Sequence, residues 1–234
     1  MKYLAPFLFG LIVGCAGAPV REAVQPSAKV ASATDLAAKS VALVQRDLGG
    51  KVRSYCTGVW VSETSILTAY HCVDDAELGD GLEYAVREDI YAPGELHERP
   101  GAFTRLARVY ALDEGHDLAL LRALYAPSHG VAVVSMEPVR PGSLVQTMGH
   151  PRGLWWSYSS GDVAAVRQEE INGMDILWVQ ATPPISAGSS GGGLFDECGL
   201  LVGVAHATNP KGQSLNMFVH GQYVDAFLRK QTWL

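Results

Sequence analysis

Gly188-Ser189-Ser190-Gly191-Gly192 sets a serine among residues without bulk. A serine nucleophile needs a tight turn that projects its hydroxyl while backbone N–H groups converge on a developing oxyanion. Glycine permits that close approach because it carries no Cβ. A Gly/Ser-rich pentapeptide alone is more often a flexible loop, and this one also fits the G-x-S-x-G pattern of a strand-turn-helix elbow. Chain order separates the readings. An elbow serine is followed by its acid and its base, and only residues 191–234 come after Ser190. Asp196 and His206 or His220 could fill those roles on paper, but the intervening strands and helices would not fit.

Better partners lie upstream. His71 sits in Thr68-Ala69-Tyr70-His71-Cys72-Val73, at the end of the apolar segment Ser65 to Ala69. Asp117 heads the apolar run Leu118-Ala119-Leu120-Leu121. A buried Asp beside a His is costly unless it orients the imidazole, which is what nucleophilic acyl transfer by a serine requires. His116 adjoins Asp117, but consecutive strand residues face opposite sides, so it is not the expected base. The order His, Asp, Ser is one of three known for this geometry.

With these blocks the sequence resembles a trypsin-like (chymotrypsin-fold) serine protease over roughly Leu36 to Leu234. Thr-Ala-x-His-Cys, Asp-Leu-Ala-Leu-Leu and Gly-x-Ser-Gly-Gly occur in order and at family-like spacings. Gly149-His150-Pro151-Arg152-Gly153, Ser160-Gly161-Asp162-Val163, Ile185 to Leu194 and Leu201-Val202-Gly203-Val204 are similar to the bacterial HtrA-type branch. The resemblance implies His71, Asp117 and Ser190 as the catalytic residues, an oxyanion hole from the N–H groups of Gly188 and Ser190, and a Cys56–Cys72 bridge pinning the histidine loop. It implies a serine endopeptidase acting on protein or peptide substrates through an acyl-enzyme, with no cofactor. A non-catalytic lipoprotein using the fold as a binding module is the rival, and intact triad residues argue against it.

Four departures from the family carry consequences. Ser189 stands where digestive proteases carry an Asp that pairs with a freed N-terminus, and no Ile-Val-Gly-Gly activation site is present. Gly193 replaces the usual Pro. No room for a PDZ domain is expected before Leu234. Pro184 lies where an acidic residue marks a trypsin pocket, so cleavage after Lys or Arg is not predicted. His206 lies on the segment that borders the pocket in this family, one position beyond the His that reads acidic side chains in glutamyl endopeptidases, and one position inverts the face. A small-to-medium apolar pocket with Ile185, Ala205, His206 and Ala207 nearby is the expectation.

Other candidates resolve to simpler roles. His97, His129 and His150 fall in loops, where a solvated or hydrogen-bonded side chain is the default. No metal site is expected: His97-Glu98-Arg99-Pro100 is not H-E-x-x-H, and the Pro would break the helix such a site needs. Cys198 reads as a single thiol in a turn, Trp155-Trp156 as loop or packing aromatics, and the acidic run Asp74 to Glu83 as solvated charge rather than a Ca²⁺ loop.

Positioning these residues takes many short strands. From Leu36 onward, short apolar stretches alternate with Gly, Asp, Pro and Ser, and 25 Gly and 12 Pro supply the turns. Six candidate strands run from Val41 to Arg122 and six from Ser143 to Val219, joined near Tyr125 to Pro141. The expected fold is all-β: two six-stranded antiparallel barrels, over 36–128 and 129–221, with a short C-terminal helix at 222–234. No helix-strand alternation of the kind a parallel sheet needs is present.

The whole chain of 234 residues is 48% apolar with a net charge of -6, which excludes disorder and argues against nucleic acid as a partner. Lys2 and the apolar run Tyr3 to Val13 read as an export signal over 1–14, followed by a flexible tether over 15–35. Ile12-Val13-Gly14-Cys15 resembles a bacterial lipobox, which would lipidate Cys15 and place the protein at the cell envelope, on its periplasmic side or surface. Ala16-Gly17-Ala18 fits ordinary cleavage instead, which would release a secreted protein; the lipobox is the preferred reading. Either route leads to a compartment where disulfides persist.

Overall fold

The computed structural model describes residues 28–48, 51–73, 83–88, 103–124, 130–154, 156–171, 173–208 and 215–231. The export signal, most of the expected tether, the acidic run before Glu83, His97, His129 and Trp155 lie outside these residues. Among the described residues no helix is long and apolar enough to cross a membrane.

Twelve antiparallel strands close into two six-stranded barrels. The first contains β1 (Val41–Leu48), β2 (Lys51–Trp60), β3 (Ser65–Ala69), β4 (Glu83–Glu88), β5 (Phe103–Asp113) and β6 (Leu118–Ala123), in the order β1-β2-β3-β6-β5-β4. The second contains β7 (Leu144–Gly149), β8 (Ser157–Ile171), β9 (Met174–Ala181), β10 (Gly193–Asp196), β11 (Leu201–Thr208) and β12 (Asn216–His220), and repeats that order as β7-β8-β9-β12-β11-β10. Closure leaves neither sheet with a free edge.

Period-2 patterning explains why a site forms between the barrels. Along β6, Ala119 and Leu121 point into the first barrel with Trp60, Ile66 and Tyr84. The alternate residues, Leu118 and Leu120, point outward, yet they too are buried, against Trp178, Phe195 and Val204 of the second barrel. A strand buried on both faces reads as a continuous apolar run, which is the texture of Leu118 to Leu121. Burying each such Leu is worth about 1.5–3 kcal/mol, so the inter-barrel seam is a core in its own right. The second barrel has its own interior of Val145, Val163, Val179, Leu194 and Phe218.

Two further segments hold the barrels together. The connector hydrogen-bonds to both, Ala132 N–H donating to Trp60 O at 2.7 Å and Ser135 N–H to Leu201 O at 2.8 Å. The C-terminal helix α2 (Gly221–Gln231) buries Val224 and Phe227 in the seam. A helix α1 (Ala28–Ser40) also forms, beginning inside the stretch read as a tether. It has no strong apolar face, but its alanines favour helix, and Ala37 and Ala38 are small enough to bury where the chain meets β7 and β10.

Candidate active site

His71 lies on a 3-10 turn, Tyr70–Cys72, at the end of β3. The Cys56–Cys72 disulfide ties that turn to β2 with a Cα–Cα distance of 6.2 Å, as the family resemblance implied. Asp117 precedes β6 with φ +54°, a left-handed conformation that Asp tolerates better than most residues. The turn docks onto it through backbone groups: Tyr70 N–H donates to Asp117 O at 3.0 Å and His71 N–H to Oδ1 at 2.9 Å. The imidazole closes the contact, with Nδ1 2.9 Å from Oδ2 and 3.0 Å from Oδ1. A carboxylate offers only acceptors, so the network assigns the proton to Nδ1 and leaves the Nε2 lone pair as a base.

A second imidazole reaches the same carboxylate. His206 Nδ1 is 2.5 Å from Asp117 Oδ2, its ring stacked on Trp178 at 4.7 Å and edge-on to His71 at 5.9 Å. Burial pushes the Asp117 carboxyl up, but the bonds from His206 and His71 outweigh it and hold the pKa at about 2.

Ser190 rides on a loop tied to the first barrel. Thr57 N–H donates to Ser190 O at 2.8 Å, and Thr57 Oγ1 donates to Gly188 O at 2.7 Å while accepting His150 N–H at 3.1 Å. Ser190 O also lies 3.9 Å from Cys72 Sγ, beside the histidine turn. Gly188 and Gly191 take φ of +96° and +81°, and a Cβ on Gly191 would strike the Thr68 hydroxyl and the Thr57 carbonyl. Among the described residues, the N–H groups of Gly188 and Ser190 donate to no acceptor of the chain, the state an oxyanion-binding pair needs.

The four residues expected around a pocket go to different places. Ile185 lines a cleft of about 410 Å³ with Pro184, Ser186 and Ser189. Ala205 is wholly buried in the second barrel and Ala207 is exposed. His206 lies against Asp117, on the seam side of β11 with Val204, while Ala205 between them faces the barrel interior. The ladder between β11 and β12 pairs Ala205 with Phe218 and Ala207 with Met217, leaving His206 as the extra, unpaired residue of a bulge. His150, expected in a solvated or hydrogen-bonded loop, is fully buried beside Trp156. His116 pairs with Asp113 at 3.0 Å and stacks on Tyr223, away from the triad candidates. Cys198 is an exposed free thiol. Thr57 and Trp178 carried no signal in the sequence, because their roles depend on contacts distant in the chain, Thr57 with the loop of the other barrel and Trp178 with His206 two strands away.

Two like-ordered six-stranded barrels, with a His–Asp pair on one and a glycine-flanked serine on the other, define the chymotrypsin-like class. The chain belongs to the trypsin-like peptidase family, whose Trypsin-like peptidase domain profile matches residues 56–204. Relatives include the periplasmic pH-dependent serine endoprotease DegQ of Escherichia coli, 30% identical over 102 residues, covering 42% of this chain and 22% of DegQ. A probable periplasmic serine endoprotease DegP-like of Halomonas elongata is 26% identical over 144 residues, covering 57% of this chain and 30% of that protein. The matched stretches thus span less than a third of these curated relatives. Among solved structures, the serine endoprotease from Yersinia pestis superposes with a TM-score of 0.68 at 22% identity, over 88% of this chain and 67% of that one. Rv3671c from M. tuberculosis, an inactive Ser-to-Ala mutant, gives 0.63 at 20%, over 88% and 90%. Likeness at that identity speaks for the fold.

Proposed function

We propose that the protein is a serine endopeptidase in which Ser190 Oγ attacks a peptide carbonyl. His71 Nε2 takes the hydroxyl proton and later gives it to the leaving amine, while Asp117 holds the Nδ1–H tautomer. The carbonyl carbon bonds to Oγ as the C–N bond breaks, and water then releases the acyl group. Gly188 and Ser190 N–H groups receive the oxyanion, where one donor is worth about 10²–10³ in rate. The observation that carries this reading is Asp117 accepting both the backbone N–H and the Nδ1–H of His71. The test is covalent labelling by a fluorophosphonate together with hydrolysis of a casein-type substrate. We expect labelling of wild type at Ser190, and a loss of at least about 10⁴ in turnover in Ser190→Ala. Equal, zero activity in both would favour the binding-module reading.

The reading extends to location and specificity. The division at 1–14, 15–35, 36–128, 129–221 and 222–234 describes an exported protein anchored through Cys15 at the cell envelope. The disulfide and the two periplasmic relatives support export; lipid incorporation lost in Cys15→Ala would support the anchor. Pro184 and half-buried Ile185 favour an apolar residue before the cleaved bond, which a peptide-library cleavage profile tests.

A further inference from the structure

We propose that His71, Asp117 and His206 together form an inhibitory site for a borderline divalent cation of the Zn²⁺ type. The regulatory half of this inference rests on the protease reading; the binding half does not.

The ligand atoms of the three side chains all lie within 4.8 Å of one another. Two imidazole nitrogens and a carboxylate oxygen are the donors Zn²⁺ takes in sites that keep one position open. Around a tetrahedral ion such donors sit roughly 3.3 Å apart, from metal–ligand distances of about 2.0–2.2 Å. Asp117 Oδ2 already stands 2.9 and 2.5 Å from the two nitrogens, so binding requires the rings to shift by no more than about 1.5 Å. The set is reachable: the side chains of His71 and His206 are 41% and 33% exposed and Asp117 12%. Stacking on Trp178 holds the His206 ring at the site.

Occupancy is incompatible with catalysis for a reason built into imidazole. A metal takes the Nδ1 lone pair, and a neutral imidazole has one N–H. The proton that His71 carries on Nδ1 must therefore move, through solvent, to Nε2, with no net proton gained or lost by a neutral ring. His71 then presents a donor towards Ser190 where the reaction needs an acceptor, and the Asp117 carboxylate is occupied by the ion. Removing the ion returns the proton to Nδ1 and restores the base.

The test is a Co²⁺ titration of the full chain carrying Cys198→Ser, which removes the exposed thiol, read by the visible ligand-field spectrum and by Zn²⁺ competition. We expect one bound ion per chain, and affinity lowered by about 10–100-fold or more in His206→Phe and in Asp117→Asn. Phe keeps a ring on Trp178 without a donor. His206→Gln, checked for fold by circular dichroism, gives the same answer if Phe disrupts packing. A double Asp113→Asn/His116→Gln variant should bind as before. Unchanged affinity in both His206 variants, or binding lost with the Asp113–His116 pair, overturns the site. Fluorophosphonate labelling of the Cys198→Ser protein should slow with Zn²⁺ and recover on chelation. Labelling indifferent to Zn²⁺ at saturating Co²⁺-competing concentrations overturns the inhibition, whereas no labelling under any condition defeats the protease reading and leaves the titration to decide the site.

Discussion

At Asp117 three N–H donors meet one side chain: the backbone and ring of His71 and the ring of His206. Each bond fixes a tautomer or an orientation, so the carboxylate acts as the reference for both imidazoles. Asp117→Asn keeps the size but puts an amide donor where an acceptor is needed. Turnover should fall by about 10⁴ with the fold retained, and wild-type rates would remove Asp117 from the reading. His150 makes a second residue-scale prediction, about stability. Burial lowers its pKa from 6.5 to about 3, so the folded state resists protonation that the unfolded chain accepts. Stability is therefore full above about pH 6.5 and declines below it until the folded pKa is reached. Between pH 6.5 and about pH 5 the loss is about 2 kcal/mol. Urea midpoints across that range should show it, and His150→Leu should flatten the slope.

At the scale of elements, Thr57 on β2 shows how a loop is set by a strand of the other barrel. Its hydroxyl serves Gly188 O and His150 N–H at once. Thr57→Val keeps the shape and orphans both, which should cost about 2–4 kcal/mol and slow labelling of Ser190; Thr57→Ser should recover most of each. A chemical-denaturation midpoint identical in all three would show that the clamp is idle. Much of this architecture was legible beforehand. The twelve strands fall close to the expected stretches, because short apolar segments between turn residues carry a strong local signal. His71, Asp117 and Ser190 were legible as residue types in a telling order. The placement of His206 was not: alternation puts it on the seam side with Val204, but its partner Asp117 belongs to the other barrel, and no local pattern carries that contact. Helix α1 was also missed, its stability coming from small side chains at a contact rather than from periodicity.

On the scale of the whole molecule, the seam of Leu67, Leu118, Leu120, Trp178, Phe195 and Val204 draws from both barrels. Neither barrel can lose it without exposing apolar surface on the other. Thermal unfolding should therefore be one cooperative transition, with calorimetric and van't Hoff enthalpies that agree. Two resolved peaks would show barrels that melt independently. The candidate site spans this seam, so its geometry should persist up to that transition and vanish with it.

Helix α1 gives the same seam a mechanical meaning. It leads directly into β1 of the first barrel, yet Thr34 Oγ1 donates to Gln146 on β7 at 2.8 Å, and Ala37 and Ala38 are buried in the seam. Tension arriving along the chain from residue 28 is thus spread across two barrels before it can peel β1 from β2. A molecule held by that end would be moored at its keel rather than by a loose plank.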